Sequence, residues 1–318
     1  MIEPSERILA SPSRFYVKVD QALTVGPCDG LSEEAHSADV VAFNPEGDLP
    51  PLFVLRSWTD ELPRFQKMAA DLGPRQPLFT VRPPRGESAK AFPRRTESWV
   101  AYYLEHLDTL GYQGPWCLGG WSFGGTLAVS VAEALRERGE TVQLVLLMDC
   151  GYPRRPGEVL TPDTKLGYLH RMAKGAHEFF DVPVEDRRNY LRKKINGSST
   201  RLLRTLKGRN KKWLKERRKK MSFLHRAVQI AYLNFEPSYS YSPVFLMRTE
   251  ESVTRMKDMS LGWHRHHRGV FLSKSVPGGH DSMWEAPNSE AVSLLTKEAL
   301  AWSKSQIALK ASNESEEA

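Results

Sequence analysis

Hydrophobic positions follow two alternating rhythms between residues 39 and 152. Short unbroken apolar runs recur as PLFVLR (51–56), PLFTV (77–81), WCL (116–118) and VQLVLLM (142–148). Between them the spacing changes to three and four. Leu62, Phe65, Met68, Ala69 and Leu72 define one helical face over residues 61–72. Thr96 is placed to cap a second helix that carries Trp99, Val100, Tyr103, Leu104 and Leu107, and residues 126–138 form a third that ends at Gly139. Strands that are apolar on both faces and separated by helices predict a mostly parallel sheet covered on both sides.

Residues 153–240 break the rhythm, with helical stretches and no clear strand. It resumes at PVFLMR (243–248) and GVFLSKSV (269–276), followed by a helix over about 288–303. Ala291, Leu294, Leu295, Ala299 and Trp302 share a stripe on that helix, with Glu298 as the exception. The pattern predicts one α/β domain over 39–303 with an α-rich insertion at about 153–240. Residues 1–38 read as an irregular polar extension and 304–318 as a flexible tail.

Composition narrows this picture. With 318 residues, 40% of them hydrophobic, the chain can bury a sizeable core. No apolar run reaches the ~18 residues of a membrane span, and the N-terminus lacks the basic and apolar regions of a secretory signal. Cys28, Cys117 and Cys150 are odd in number and fit no zinc spacing, which suits a cytoplasmic protein with reduced thiols. The net charge of +7 is concentrated. Residues 182–228 carry 17 Lys/Arg against Glu185, Asp186 and Glu216, a local excess of 14, so the remainder is net −7. Trp213 offers little aromatic interleaving for nucleic-acid binding. Leu202, Leu203, Leu206, Trp213 and Leu214 make the segment amphipathic as well as basic, compatible with peripheral contact at an anionic surface.

Candidate chemistry centres on GGWSFGG (119–125). Gly-x-Ser-x-Gly alone arises by chance in roughly one chain in ten of this length. Here a strand precedes it and a helix follows, the setting of a nucleophile elbow, in which Ser122 is driven to positive φ and Gly120 and Gly124 make room for the turn. A serine nucleophile needs a base and an orienting carboxylate. His280, in VPGGHDSMW between the last strand and the last helix, is the candidate base. The HRHH cluster at 264–267 precedes that strand, shows no acidic co-ligands and reads as a solvated turn, so no metal site is expected. Asp149 ends the 142–148 strand, while Glu250 and Glu251 end the 243–248 strand. Spacing leaves both positions open. The apolar run leading straight into one carboxylate favours Asp149.

Together PLFVL, DLGPRQPLFTVRPPRG, GPWCLGGWSFGG, LVLLMDC, NFEPSYSYSPVFLMR and VPGGHDSMWEAP resemble the thioesterase domain of nonribosomal peptide and polyketide synthases, a branch of the α/β-hydrolases. The resemblance covers about 39–303. It implies an α/β-hydrolase fold with a helical lid at the insertion and a Ser122–His280–Asp149 triad. The implied substrate is an acyl, peptidyl or polyketide chain carried as a phosphopantetheine thioester on a carrier protein supplied in trans, with no cofactor of the enzyme's own. The implied oxyanion donors are the N–H groups of Phe123 and, by motif alignment, Trp58. The loop that holds Trp58 departs from the family: it reads RSWTDE (56–61) where glycines are usual. A carboxylesterase using the same triad on oxygen esters and a catalytically weak partner-binding protein are the competing readings.

Overall fold

The computed structural model describes residues 17–58, 61–86, 92–93, 95–153 and 239–316, with isolated positions between 224 and 235. Eight strands form one sheet: β1 (Leu23–Thr24), β2 (Val40–Phe43), β3 (Leu52–Leu55), β4 (Leu78–Val81), β5 (Trp116–Trp121), β6 (Val142–Met148), β7 (Val244–Thr249) and β8 (Phe271–Val276). Their spatial order is β1-β2-β4-β3-β5-β6-β7-β8. Every neighbouring pair is parallel except β2 with β4. Among the described residues the α-helices are α1 (Glu33–Ser37), α2 (Leu62–Leu72), α3 (Thr96–Thr109), α4 (Phe123–Glu137), α5 (Glu250–Met256) and α6 (Asn288–Glu316).

The unbroken apolar runs follow from coverage of both faces. Every residue of β3 to β7 is buried. Leu52 and Val54 join Leu62, Phe65 and Met68 of α2 and Val292, Ala299 and Leu300 of α6 in one core cluster. The alternate residue Phe53 points the other way, against Phe79, Tyr112 and Trp116 at 5.0–5.3 Å between ring centroids. Strand pleating sends successive side chains to opposite faces, so a run with no polar position is what a two-sided core requires. Fully burying each such Leu or Phe contributes about 1.5–3 kcal/mol. α3 and α4 pack together, as do α2 and α6.

Two expectations for the termini are corrected. Residues 23–24 are not irregular; they pair with Val41 and Ala42 and extend the sheet. The final helix does not stop near residue 303 but runs to Glu316; the continuation KSQIALKASNESE holds no Gly or Pro to end it and includes Ala, Leu, Lys, Gln and Glu, which lose little on entering a helix. Arg154–Arg226 separates as its own unit. The insertion expected at 153–240 falls largely on it, and its helical and lid character lies outside the described residues. From Ala227 onward the chain belongs with the sheet-bearing unit.

Candidate active site

The parallel arrangement brings the ends of β3, β5, β6 and β8 to one edge of the sheet, and each carries a candidate residue in the loop that follows. Ser122 follows β5 directly and has φ 55° and ψ −125°, the positive φ that the elbow motif predicts. Backbone in such sparsely populated regions costs about 1–3 kcal/mol and persists where its surroundings over-determine it. The glycines supply that constraint. A Cβ on Gly120 would lie 2.1 Å from the Gly124 carbonyl carbon, and one on Gly124 would lie 2.4 Å from the Leu55 carbonyl oxygen. Both obstacles are backbone and cannot swing aside. Gly120→Ala is therefore expected to lower stability by about 1–3 kcal/mol and to lower activity further by shifting the elbow. Chemical unfolding alongside turnover checks this; a variant with wild-type stability and rate would contradict the packing argument.

Asp149 follows β6, also at positive φ (47°), and is 2% exposed. Its carboxylate is fully engaged. Oδ1 accepts hydrogen bonds from the Thr249 N–H at 2.8 Å and the Thr249 hydroxyl at 3.1 Å. Oδ2 accepts from the Ser252 hydroxyl at 2.7 Å and lies 2.8 Å from His280 Nδ1. Burial works against the charge. The hydrogen bond from His280, then those from Thr249 and Ser252, outweigh it and hold the carboxyl below its usual range. Because the folded-state value lies below the unfolded one, the resulting stability is present above the unfolded value and is lost as pH falls through the folded one.

Sequence spacing left Glu250 and Glu251 open as the acid. Glu251 instead contacts the backbone of the histidine loop: its Oε2 accepts from the His280 N–H at 3.3 Å and lies where a Cβ on Gly279 would be, 2.1 Å away. The imidazole itself faces Asp149 and stacks on Trp121, with ring centroids 4.9 Å apart and planes at 26°. Thr249 and Ser252 are contributors that sequence reasoning missed. Thr249 caps α5, its hydroxyl accepting from the Ser252 N–H at 3.2 Å. A Thr at the end of an apolar strand, a preferred helix N-cap, with Ser three residues on, was the available signal.

The glycine-free loop after β3 is held by a side chain. Glu61 is completely buried and closes the turn back on Ser57, one oxygen accepting from the Ser57 N–H and the other from its hydroxyl, each at 3.1 Å. The Tyr103 hydroxyl donates to the Arg56 carbonyl, and the half-buried Trp58 packs on the main core cluster. Burial pushes the Glu61 carboxyl up to about 8, against the opposing influence of Arg56 and the Ser57 hydrogen bonds. The folded state thus holds a proton that the unfolded state releases near 4.5, so stability falls as pH rises from there through about 8. Glu61→Gln, which cannot ionise, is expected to flatten that fall. Thermal unfolding from pH 5 to pH 9 tests it; equal pH slopes for the two proteins would contradict the assignment.

Elsewhere, His264 Nδ1 lies 2.8 Å from the Ser260 hydroxyl and His267 Nε2 lies 3.2 Å from the Val270 carbonyl. Among the described residues no group of three or more His, Cys, Asp or Glu side chains could hold a metal, and no helix is long and apolar enough to cross a membrane.

Residues 63–296 match the thioesterase-domain family. That is more than half of the 318 residues, and the chain belongs to that family, with the α/β-hydrolase fold its sheet displays. A thioesterase of Alternaria alternata is 25% identical over 70% of this chain and 74% of its own length. Malpibaldin synthetase of Mortierella alpina is 31% identical over 38% of this chain, a match to only 2% of the synthetase. The dimodular nonribosomal peptide synthase of Bacillus subtilis is 25% identical over 42% of this chain and 6% of its own length. The chain therefore spans a small fraction of these synthetases. Among solved structures, the NocB thioesterase domain, in covalent complex with a fluorophosphonate nocardicin G analogue, superposes with a TM-score of 0.53 at 18% identity, covering 83% of this chain and all of that one. A four-domain nonribosomal peptide synthetase superposes with a TM-score of 0.55 at 18% identity over 82% of this chain and 20% of its own. These likenesses concern the fold.

Proposed function

We propose that the protein releases an acyl, peptidyl or polyketide chain from the phosphopantetheine thioester of a carrier protein, through an acyl-enzyme on Ser122. The hydrogen bond between Asp149 and the His280 imidazole, at the sheet edge that carries the Ser122 elbow, is the observation that carries this reading. Asp149 accepts from Nδ1–H and so leaves Nε2 as the basic nitrogen. Nε2 takes the Ser122 hydroxyl proton as Oγ bonds to the thioester carbonyl carbon. The carbonyl oxygen becomes an oxyanion, for which the N–H groups of Phe123 and Trp58 are the donors; one such donor is worth about 2.7–4 kcal/mol. The intermediate collapses, the C–S bond breaks, and the imidazolium returns the proton to the departing thiolate. Water, deprotonated by the same imidazole, then attacks the Ser122 ester carbonyl; the acyl–Oγ bond breaks, the imidazolium returns the proton to Oγ, and the acid leaves.

The Glu61 clamp supports a working oxyanion loop without glycine, because it fixes Ser57, the residue before the Trp58 donor. The basic stretch over residues 182–228 supplies a charge that attracts an acidic carrier protein. The experiment compares turnover of an acyl-phosphopantetheinyl carrier protein, acyl-CoA and a p-nitrophenyl ester by the same preparation. The carrier thioester is expected to give the highest kcat/KM. Preference for the oxygen ester would replace this reading with a carboxylesterase, and no turnover of any of the three would favour a binding protein.

A further inference from the structure

Trp121 is the last residue of β5 and pairs with Met148, the last of β6. The strand that presents Ser122 and the neighbour that presents Asp149 therefore fix its backbone together. Its side chain is 4% exposed and joins the core cluster of α2 and α6. The loop after β8 meets this indole twice. His280 stacks on it, with ring centroids 4.9 Å apart and planes at 26°, and Trp284 meets it edge-on at 6.1 Å. Phe65 of α2 in turn meets Trp284 edge-on at 5.4 Å. The neighbouring Arg64 places its guanidinium 4.3 Å from the Trp121 centroid. One indole thus touches a permanent cation and a ring that becomes a cation during the reaction. Among the described residues, the side-chain hydrogen bond of His280 is that of Nδ1 with Asp149 at 2.8 Å. A single hydrogen bond fixes a point of the ring and not its plane, and the terminal torsion of histidine is intrinsically broad. The stack on Trp121 supplies the missing constraint.

We infer that Trp121 is a positioning residue for the general base: its indole face sets the plane of the His280 imidazole and stabilises the imidazolium. This role rests on His280 being the base, as proposed above, and not on the substrate being a thioester. The electron-rich face of an aromatic ring attracts a cation, most strongly for tryptophan and where water is excluded. The imidazole is neutral when it accepts the Ser122 proton and charged once it holds it. The attraction is therefore stronger in the transition state than in the ground state, which is the condition for lowering a barrier. Asp149 at Nδ1 and Glu251 at the His280 N–H favour the same charge. Arg64 opposes it, but its charge is constant through the cycle. Mere packing would need an apolar side chain of suitable size, and the electron density of the ring would not matter.

Phosphonylation of Ser122 by an alkyl fluorophosphonate reads the base without a thioester: Oγ bonds to phosphorus, fluoride leaves, and the hydroxyl proton passes to His280. The full chain is prepared with mono-, di- and trifluorinated tryptophan in place of Trp121. These analogues keep the shape of the indole and withdraw electrons from its face. The labelling rate, followed by mass spectrometry, is expected to fall about twofold with each fluorine, with the unfolding midpoint little changed. The same dependence is expected in Arg64→Gln, which separates the imidazole from the guanidinium as its origin. Trp121→Phe, which keeps a weaker aromatic face, is expected to label about threefold more slowly than the unsubstituted protein, and Trp121→Leu about tenfold or more. With the carrier thioester the same series is expected to lower kcat and leave KM unchanged. A rate independent of fluorination, or Trp121→Leu labelling as fast as Trp121→Phe, overturns the inference and leaves Trp121 as core packing. Fluorine-dependent labelling without thioester turnover supports the inference and overturns only the substrate class proposed above.

Discussion

Ser122→Ala is expected to lower thioester turnover by about four to six orders of magnitude, with KM little changed and the fold intact. The size follows from the role. Without the hydroxyl no acyl-enzyme forms, and what remains is catalysis by the oxyanion donors and by substrate positioning, about 10³–10⁴ over water in comparable serine enzymes. The fold survives because alanine carries the same Cβ through the strained φ of 55°, and the packing of Gly120 and Gly124 that enforces the turn is untouched. Steady-state kinetics with a carrier thioester and an unfolding curve check both halves. A variant that keeps more than a tenth of the wild-type rate would remove Ser122 from the chemistry.

Asp149→Asn is expected to lower kcat by about 10⁴, although it changes one atom. Four hydrogen bonds reach this carboxylate, two at each oxygen. A carboxamide has only one acceptor oxygen. Placed towards the Thr249 N–H and hydroxyl, it turns its NH₂ to Ser252 and to His280 Nδ1. Nδ1 must then accept, which puts the imidazole proton on Nε2, the nitrogen the mechanism needs bare. Glu251→Gln provides the contrast. It alters only a 3.3 Å contact to the His280 backbone N–H and is expected to cost less than about tenfold. If instead Asp149→Asn stays active and Glu251→Gln does not, the carboxylate has been misassigned.

Much of the sheet was legible because its strands are covered on both faces. A run such as VQLVLLM leaves little choice of element, and it is buried at every position of β6. The elbow was legible for a related reason: glycines flanking one serine after an apolar run have few uses other than a turn with no room for a Cβ. β1 and β2 were missed as strands. The first has two residues, too short for periodicity to separate strand from loop; the second is as long as β3 and β4, and its apolar run VVAF carried the same signal. The loop after β3 shows a different limit. Its lack of glycine reads as a defect in one dimension. In three, the carboxyl of Glu61 accepts from the N–H and hydroxyl of Ser57 and ties the two together with a side chain. Likewise Asp149 stood out at the end of its strand, but the Thr249 and Ser252 hydroxyls that orient it lie about a hundred residues further on. Only the pairing of β6 with β7 brings them together.

The most direct test of the account is rapid-quench mass spectrometry of the protein mixed with an acyl-phosphopantetheinyl carrier protein. The account predicts an acyl adduct on the peptide containing Ser122 that rises before free acid is released, and no adduct in Ser122→Ala. Release of the acyl group at the wild-type rate with no adduct on Ser122 at any time would contradict it.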